Sequence, residues 1–222
     1  VIVPFYNEEA LLKEAVSNLL NEQFDKEIIL VNDGSVDGSP DIATELAKMH
    51  GNIKLITYDQ NMGKGFAVKK GIEKSTGKFI AIFDADLEYF PSDLNRLIQS
   101  LKKDDRDFVC GSRFLGNKSR KNIYLRTYIA NRILSLLFSL IYKVKITDIA
   151  TCLKVFKKEL IEDINFEKND FSIEVELIAK VVAKTKNYKE IPISYKARSY
   201  EEGKKIKFVD GFRYIFAILK FK

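Results

Sequence analysis

The sequence predicts an α/β fold with a mostly parallel central sheet and helices on both faces. Three observations predict it. Short apolar runs alternate with amphipathic helical stretches as far as residue 112. The runs are greasy throughout, as strands covered on both faces are. Several end abruptly in carboxylates or glycines, as strands opening onto a ligand-binding rim do.

VIVPF (1–5) reads as a short buried strand. Residues 8–21 place Leu11, Leu12, Ala15, Val16, Leu19 and Leu20 at helical spacing. EIILV (27–31) is a second strand, and Ser39-Pro40 opens a helix running to about 49. IKLITY (53–58) is the third strand, 64–74 a helix, and KFIAIF (78–83) the fourth strand. Pro91 starts a helix reaching about Lys102, and DFVCGS (107–112) is the fifth strand. The rest is less regular. Residues 123–143 read as one long helix or two, 171–184 as another, YKEIPISYKA (188–197) as a strand, and the end from about 207 as an amphipathic helix.

A chain of 222 residues, 46% hydrophobic and 31% charged, suits an ordinary globular protein. The net charge of +6 is uneven: residues 1–112 carry −6, residues 113–154 carry +8 and residues 155–222 carry +4. An acidic front and a basic back imply different partners. Residues 1–222 read as one domain whose two halves differ in role, divided at 113. Cys110 and Cys152 are too few for a disulfide scaffold and read as reduced core thiols of a reducing compartment. The sole histidine, His50, precedes Gly51 at a helix end, so no histidine metal site is expected. The chain starts on Val rather than Met, which leaves open a leader or anchor ahead of it.

The chemistry gathers at strand ends. The stretches from Pro4 to Glu8, Val31 to Asp33, Asp84 to Glu88 and Gly111 to Arg113 should meet on one rim. Asp33 can accept hydrogen bonds from a base or ribose. Asp84 and Asp86, two apart, face the same way on an extended segment, and Glu88 continues that face if extension persists. Two acids directly after IAIF are costly unless paired, and oxygen-only ligands suit Mg²⁺ or Mn²⁺ bridging carboxylates to phosphates. Asp37, in an Asp-Gly pair, reads as a turn residue.

VPFYNEE, VNDGSVDGS, NMGKGFAVKKG, DADLEYFP, GSRF, TDIATCLKVF, FSIEVEL and RSYEEGKKI occur in the order seen in family 2 glycosyltransferases. The set most resembles the branch containing dolichyl-phosphate mannose synthases and their bacterial and archaeal relatives. The resemblance implies a GT-A fold, a nucleotide-sugar donor of the GDP-mannose or UDP-glucose type, Mg²⁺ or Mn²⁺, and inversion at the anomeric centre. It assigns residues 1–112 to a nucleotide-sugar-binding half and 113–222 to an acceptor- and membrane-facing half of one catalytic domain. Pro4, Tyr6 and Glu8 resemble the first nucleotide-contacting loop, and Val31 and Asp33 the base and ribose contacts. Asp84, Ala85 and Asp86 resemble the DxD motif that meets ribose, diphosphate and metal. Glu88 stands where mannose synthases commonly have Gln, so a carboxylate joins the metal set while the donor sugar stays open. Arg113 resembles the arginine near the acceptor phosphate, and Arg198 and Lys205, with Lys204, a loop closing on the diphosphate. Asp148, in the acceptor-side TD pair, is a general base or a loop-fixing cap.

Other segments have plainer readings. Lys64, Lys69 and Lys70 could bind phosphate, but a solvated helix face is favoured. The nearby glycines make neither a dinucleotide fingerprint nor a P-loop. Glu174 and Glu176 read equally as acceptor contacts or helix-surface acids. ILSLLFSLIY (133–142) is too short to span a bilayer, which needs about 20 residues. It packs in the core or rests on a membrane, with Arg120, Lys121, Arg126, Arg132, Lys143 and Lys145 toward anionic lipid.

The expected activity is therefore transfer of a hexose, mannose or glucose, from a nucleotide diphosphate-sugar to a polyprenyl or dolichyl phosphate. Asp86, Arg113 and Asp148 are the candidate catalytic residues, and Asp84, Asp86 and Glu88 the metal set. The rival acceptor is a glycan hydroxyl, although the QxxRW motif of processive synthases is absent from this Trp-free chain. The expected place is the cytoplasmic face of a membrane, peripherally, or the cytoplasm. The basic segment lacks a nucleic-acid-binding motif, so no nucleic-acid partner is expected.

Overall fold

The computed structural model of the chain describes residues 1–116, 120–121, 124–198 and 208–222. The elements follow in chain order: β1 (Ile2–Phe5), α1 (Leu12–Leu20), β2 (Ile28–Asp33), α2 (Ser39–Met49), β3 (Ile53–Tyr58), α3 (Lys64–Lys74) and β4 (Phe79–Ile82). Next come α4 (Pro91–Lys103), β5 (Phe108–Ser112), β6 (Arg120–Lys121), α5 (Leu125–Tyr142), β7 (Lys154–Lys157) and α6 (Lys158–Ile161). The chain finishes with α7 (Ile173–Lys184), β8 (Tyr188–Pro192), β9 (Tyr195–Lys196) and α8 (Phe208–Lys220).

Seven strands form one sheet in the order β3-β2-β1-β4-β7-β5-β8. β1 to β4 run parallel, as do β5 and β8. Crossing helices make this possible, because parallel neighbours cannot be joined by a tight hairpin. β1 and β2 are buried along their whole length, which explains their unbroken apolar runs.

β7 is the departure from expectation. It lies antiparallel between β4 and β5, joining the acidic half of the sheet to the other half. Its four residues, KVFK, set two apolar side chains between lysines, too short a run to stand out. Phe156 is nevertheless fully buried and stacks on Phe108 at 5.7 Å between centroids.

YKEIPISYKA is also not one strand. β8 stops at Pro192, which has no N–H for a further ladder bond. Ser194 then donates to Asp93, and β9 pairs with β6 in a separate two-stranded sheet. Residues 125–142 form a single helix that ends on Lys143 in the left-handed conformation (φ 53°).

The crossing order sets the rim. β1, β2, β4 and β5 all point their carboxyl ends to the same edge, where their following loops meet.

Candidate active site

The loops after β1 and β2 lock together. Asn7, at φ 49°, accepts from the Val36 amide and donates its own amide to Ser35 Oγ. The Glu8 amide donates to Ser39 Oγ, and the Glu9 amide to Asp37. Asp37 also accepts from the Ser39 amide, so it is a turn-and-cap residue. Asp33, buried, accepts from the amides of Met62 (2.9 Å) and Gly63 (2.8 Å). Gly34, at φ 71°, lets the 60–61 backbone approach: a Cβ there would lie 2.4 Å from Gln60 C.

α3 starts against the loop before α7. The amides of Gly65 and Phe66 both donate to Asn169 O, and a Cβ on Gly63 would sit 2.4 Å from that oxygen. The glycines of NMGKG thus serve close backbone packing.

This docking puts Lys64 inside the molecule, not on a solvated helix face. Its side chain is 10% exposed, and its Nζ donates to Asp84 Oδ2 at 2.8 Å. The same nitrogen lies 2.9 Å from Glu174 Oε1, a charge contact without hydrogen-bond alignment. Glu174 in turn pairs with Lys154, which is fully buried and also donates to Thr151 O. Two ammonium groups and two carboxylates alternate in one row, buried at its Lys154–Glu174 end and 20% exposed at Asp84. Burial works against charge on Lys64, but Asp84 beside it raises its pKa well above the usual lysine range. Glu174 is held below the usual range: burial opposes this, and Lys154 and Lys64 outweigh it. Glu176 is buried as well and accepts from the Glu167 and Lys168 amides. Neither acid lies on the helix surface. Lys70, by contrast, pairs with Glu73 in the open, and Lys69 donates to Asn169.

The DADLE segment does not stay extended. The Glu88 amide folds back onto Asp86 Oδ1, and Leu87 takes a left-handed conformation (φ 58°). Glu88 therefore leaves the face of Asp84 and Asp86. Its carboxylate accepts from Tyr195 OH at 2.5 Å and from the Arg198 amide at 2.7 Å. Asp86 is pushed up to about 8, first by burial and then by the charges of Asp84 and Glu88, with Arg198 acting the other way.

Two arginines face this acid cluster. Arg198 forks onto Glu8 at 3.0 and 3.1 Å and reaches to 3.6 Å from Asp86. Arg113 is 7% exposed, lies over the Tyr195 ring, and is gripped by Asp148 through Nε (2.7 Å) and Nη2 (2.8 Å). Asp148 also accepts the Arg113 amide, while its own amide and that of Thr147 donate to Glu190. Glu190 is pushed up to about 7 by burial, against those amides.

A cavity of about 440 Å³ gathers these groups. Among the predicted residues, Pro4, Tyr6, Glu8, Asp33, Asp84, Ala85, Asp86, Glu88, Arg113 and Arg198 line it. Val31 and Asp148 do not: Val31 is buried inside β2, and Asp148 sits behind Arg113. Lys204 and Lys205 lie outside the described residues. Sequence reasoning missed Tyr89, Tyr195 and Tyr214 in the wall, aromatics that no local motif distinguishes from core residues.

Fold and rim together define a nucleotide-diphospho-sugar transferase architecture. Glucosyl-3-phosphoglycerate synthase from Mycobacterium tuberculosis, in complex with phosphoglyceric acid, superposes with a TM-score of 0.74 at 16% identity, covering 99% of this chain and 78% of that one. The same enzyme with Mn²⁺, uridine-diphosphate-glucose and phosphoglyceric acid gives a TM-score of 0.73. The family model for glycosyl transferase family 2 matches residues 1–164. The UDP-N-acetylglucosamine–dolichyl-phosphate N-acetylglucosaminyltransferase of Methanococcus voltae is 32% identical over 242 aligned positions, covering 100% of this chain and 95% of that protein. An uncharacterised protein of Methanocaldococcus jannaschii is 29% identical over 226 positions, covering 99% and 90%. The chain belongs to the family 2 glycosyltransferases.

Lys64→Met would leave Asp84 without its cation and Glu174 with Lys154 alone. Urea denaturation should show a loss of about 3–5 kcal/mol, the range for breaking a buried pair from one side. A loss below about 1 kcal/mol, typical of an exposed lysine, would contradict the buried placement.

Proposed function

We propose that the chain transfers a sugar, with inversion, from a nucleotide diphosphate-sugar to a polyprenyl phosphate of the dolichyl type. One observation carries this reading: the acids and arginines suited to donor and acceptor chemistry, Asp84, Asp86, Arg113 and Arg198, share a single cavity. Of the two donor types expected, the names of the relatives favour the uridine one, with glucose or N-acetylglucosamine as the sugar.

The donor set fits a divalent ion. Among the described residues, no three acidic, histidine or cysteine side chains form a ready-made cage. Mg²⁺ and Mn²⁺ need none, since one or two carboxylates plus substrate phosphates suffice. Asp86 is the fitting ligand, because it lines the cavity and its contact with Arg198 is a loose one at 3.6 Å. Asp84, fixed by Lys64, stands next to it. Such an ion, when bound, supplies Lewis-acid neutralisation of the departing diphosphate. Glu88, committed to Tyr195 and the Arg198 amide, holds the end of β9 against the cluster.

The remaining work falls to residues of the chain itself. Arg113 offers a fixed positive charge for the acceptor phosphate, and Asp148 is its positioning residue. A phosphate acceptor is already ionised near neutral pH, so no general base is assigned. Asp148 would serve poorly as one, because both of its oxygens face the guanidinium.

A lipid acceptor also suits the outer surface. Leu125, Ile129, Ile133, Leu136 and Leu140 form an exposed stripe on α5, while Leu134, Phe138 and Tyr142 face inward. α8 packs on α5 and exposes Val209, Phe212, Phe216 and Leu219. Arg126, Arg132, Lys143, Lys145 and Lys220 are exposed on or beside these helices. Among the described residues no helix is long and apolar enough to cross a membrane. These features support a reading in which the two helices rest on a bilayer surface, apolar stripes down and cations toward anionic lipid.

Incubation with Mn²⁺, a panel of nucleotide sugars and a polyprenyl phosphate should yield a glycolipid, and Asp86→Ala should lower turnover at least about a hundredfold. Undiminished turnover of that variant with metal present would refute the assignment. Replacing Ile133, Leu136, Leu140 and Phe216 together by Ser should cut sedimentation with anionic vesicles at least about tenfold, given roughly 1.5–3 kcal/mol per buried apolar side chain. Unchanged sedimentation would remove the membrane-facing role of these helices.

A further inference from the structure

The rim holds four carboxylates close together: Glu8, Asp84, Asp86 and Glu88. Its cations are not equally available. Lys64 is shared by Asp84 and Glu174, and Arg113 is gripped by Asp148. Among the described residues, Arg198 is the cation left for Asp86. Its contact there is a loose one, at 3.6 Å and beyond hydrogen-bond reach, while its fork is aimed at Glu8. Its Nε is buried without a hydrogen-bond partner among the described residues. The guanidinium is thus anchored on Glu8, in a position that leaves its Nε donor unused.

On the reading of the cavity as a metal-assisted donor site, we propose that Arg198 is a built-in counter-cation that competes with the divalent ion for the Asp86 side of the cluster. An ion coordinated by Asp86 would meet the guanidinium at close range, and two such charges repel. Metal entry therefore requires Arg198 to withdraw. A diphosphate gives the withdrawn arginine a new bidentate partner, whereas a bare metal ion gives it none. In the free protein the Arg198 charge stands beside Asp86, and metal alone binds weakly. Metal arriving with a nucleoside diphosphate binds well, so the site guards against idle occupation.

The test is a titration of the whole chain with Mn²⁺ alone, followed by the electron paramagnetic resonance of free Mn²⁺. Arg198→Gln, neutral and of similar size, should bind Mn²⁺ at least about tenfold tighter than wild type, because a positive charge near the ion is gone. Arg198→Lys, which keeps the charge, should stay close to wild type. Equal or weaker binding by Arg198→Gln would overturn the proposal. So would equal tightening in both variants, since charge would then not be the cause. Asp86→Asn separates the two levels. Wild-type binding that survives Asp86→Asn removes the metal reading itself, and with it this proposal. Binding lost in Asp86→Asn but unchanged in Arg198→Gln removes only the counter-cation role.

Discussion

Four carboxylates crowded at the buried carboxyl edge of a parallel sheet form the constraint on which this molecule depends. Burial first, and then the charges of Asp84 and Glu88, raise the pKa of Asp86 among them. The surrounding architecture supplies compensation from several directions. α3 begins against the 168–170 backbone, which carries Lys64 to Asp84. α7 brings Glu174 to Lys64, and β7 brings Lys154 to Glu174. The antiparallel strand in the middle of the sheet thus has an electrostatic role besides a packing one. Its Lys154 closes a row of charges that starts at the DxD segment.

The other flank is built on the same logic with the signs exchanged. Arg113 is buried at the end of β5 and could not stay there unpaired. Asp148 answers it, and Glu190 holds the Asp148 turn in place from β8. The acids of one flank and the cation of the other therefore reach one cavity on strand ends. The aromatic rings of Tyr89 and Tyr195 stand between them, 5.2 Å apart.

Much of this was legible in the sequence. The parallel half could be read because its strands are apolar throughout and its helices amphipathic. The rim residues could be read because strand ends in such sheets face the ligand. What stayed hidden depended on contacts far apart in the chain. Lys64 looks like a surface lysine until α7 packs over it, and Glu174 looks like a surface acid for the same reason. Leu87 gives no local sign of its left-handed turn, yet that turn removes Glu88 from the face of Asp84 and Asp86. β7 is four residues long and owes its place to the strands on either side. The helices α5 and α8 were ambiguous because each has two apolar faces, one for the core and one exposed.

On the proposed function, the acid cluster receives a cation together with a diphosphate. Anomalous diffraction from crystals grown with Mn²⁺ and a uridine diphosphate sugar addresses it most directly. One strong Mn²⁺ peak is expected, coordinated by the Asp86 carboxylate and by diphosphate oxygens, with Arg198 moved off Glu8. A peak bound elsewhere, or diphosphate in the cavity with Asp86 uncoordinated and Arg198 still on Glu8, would contradict it.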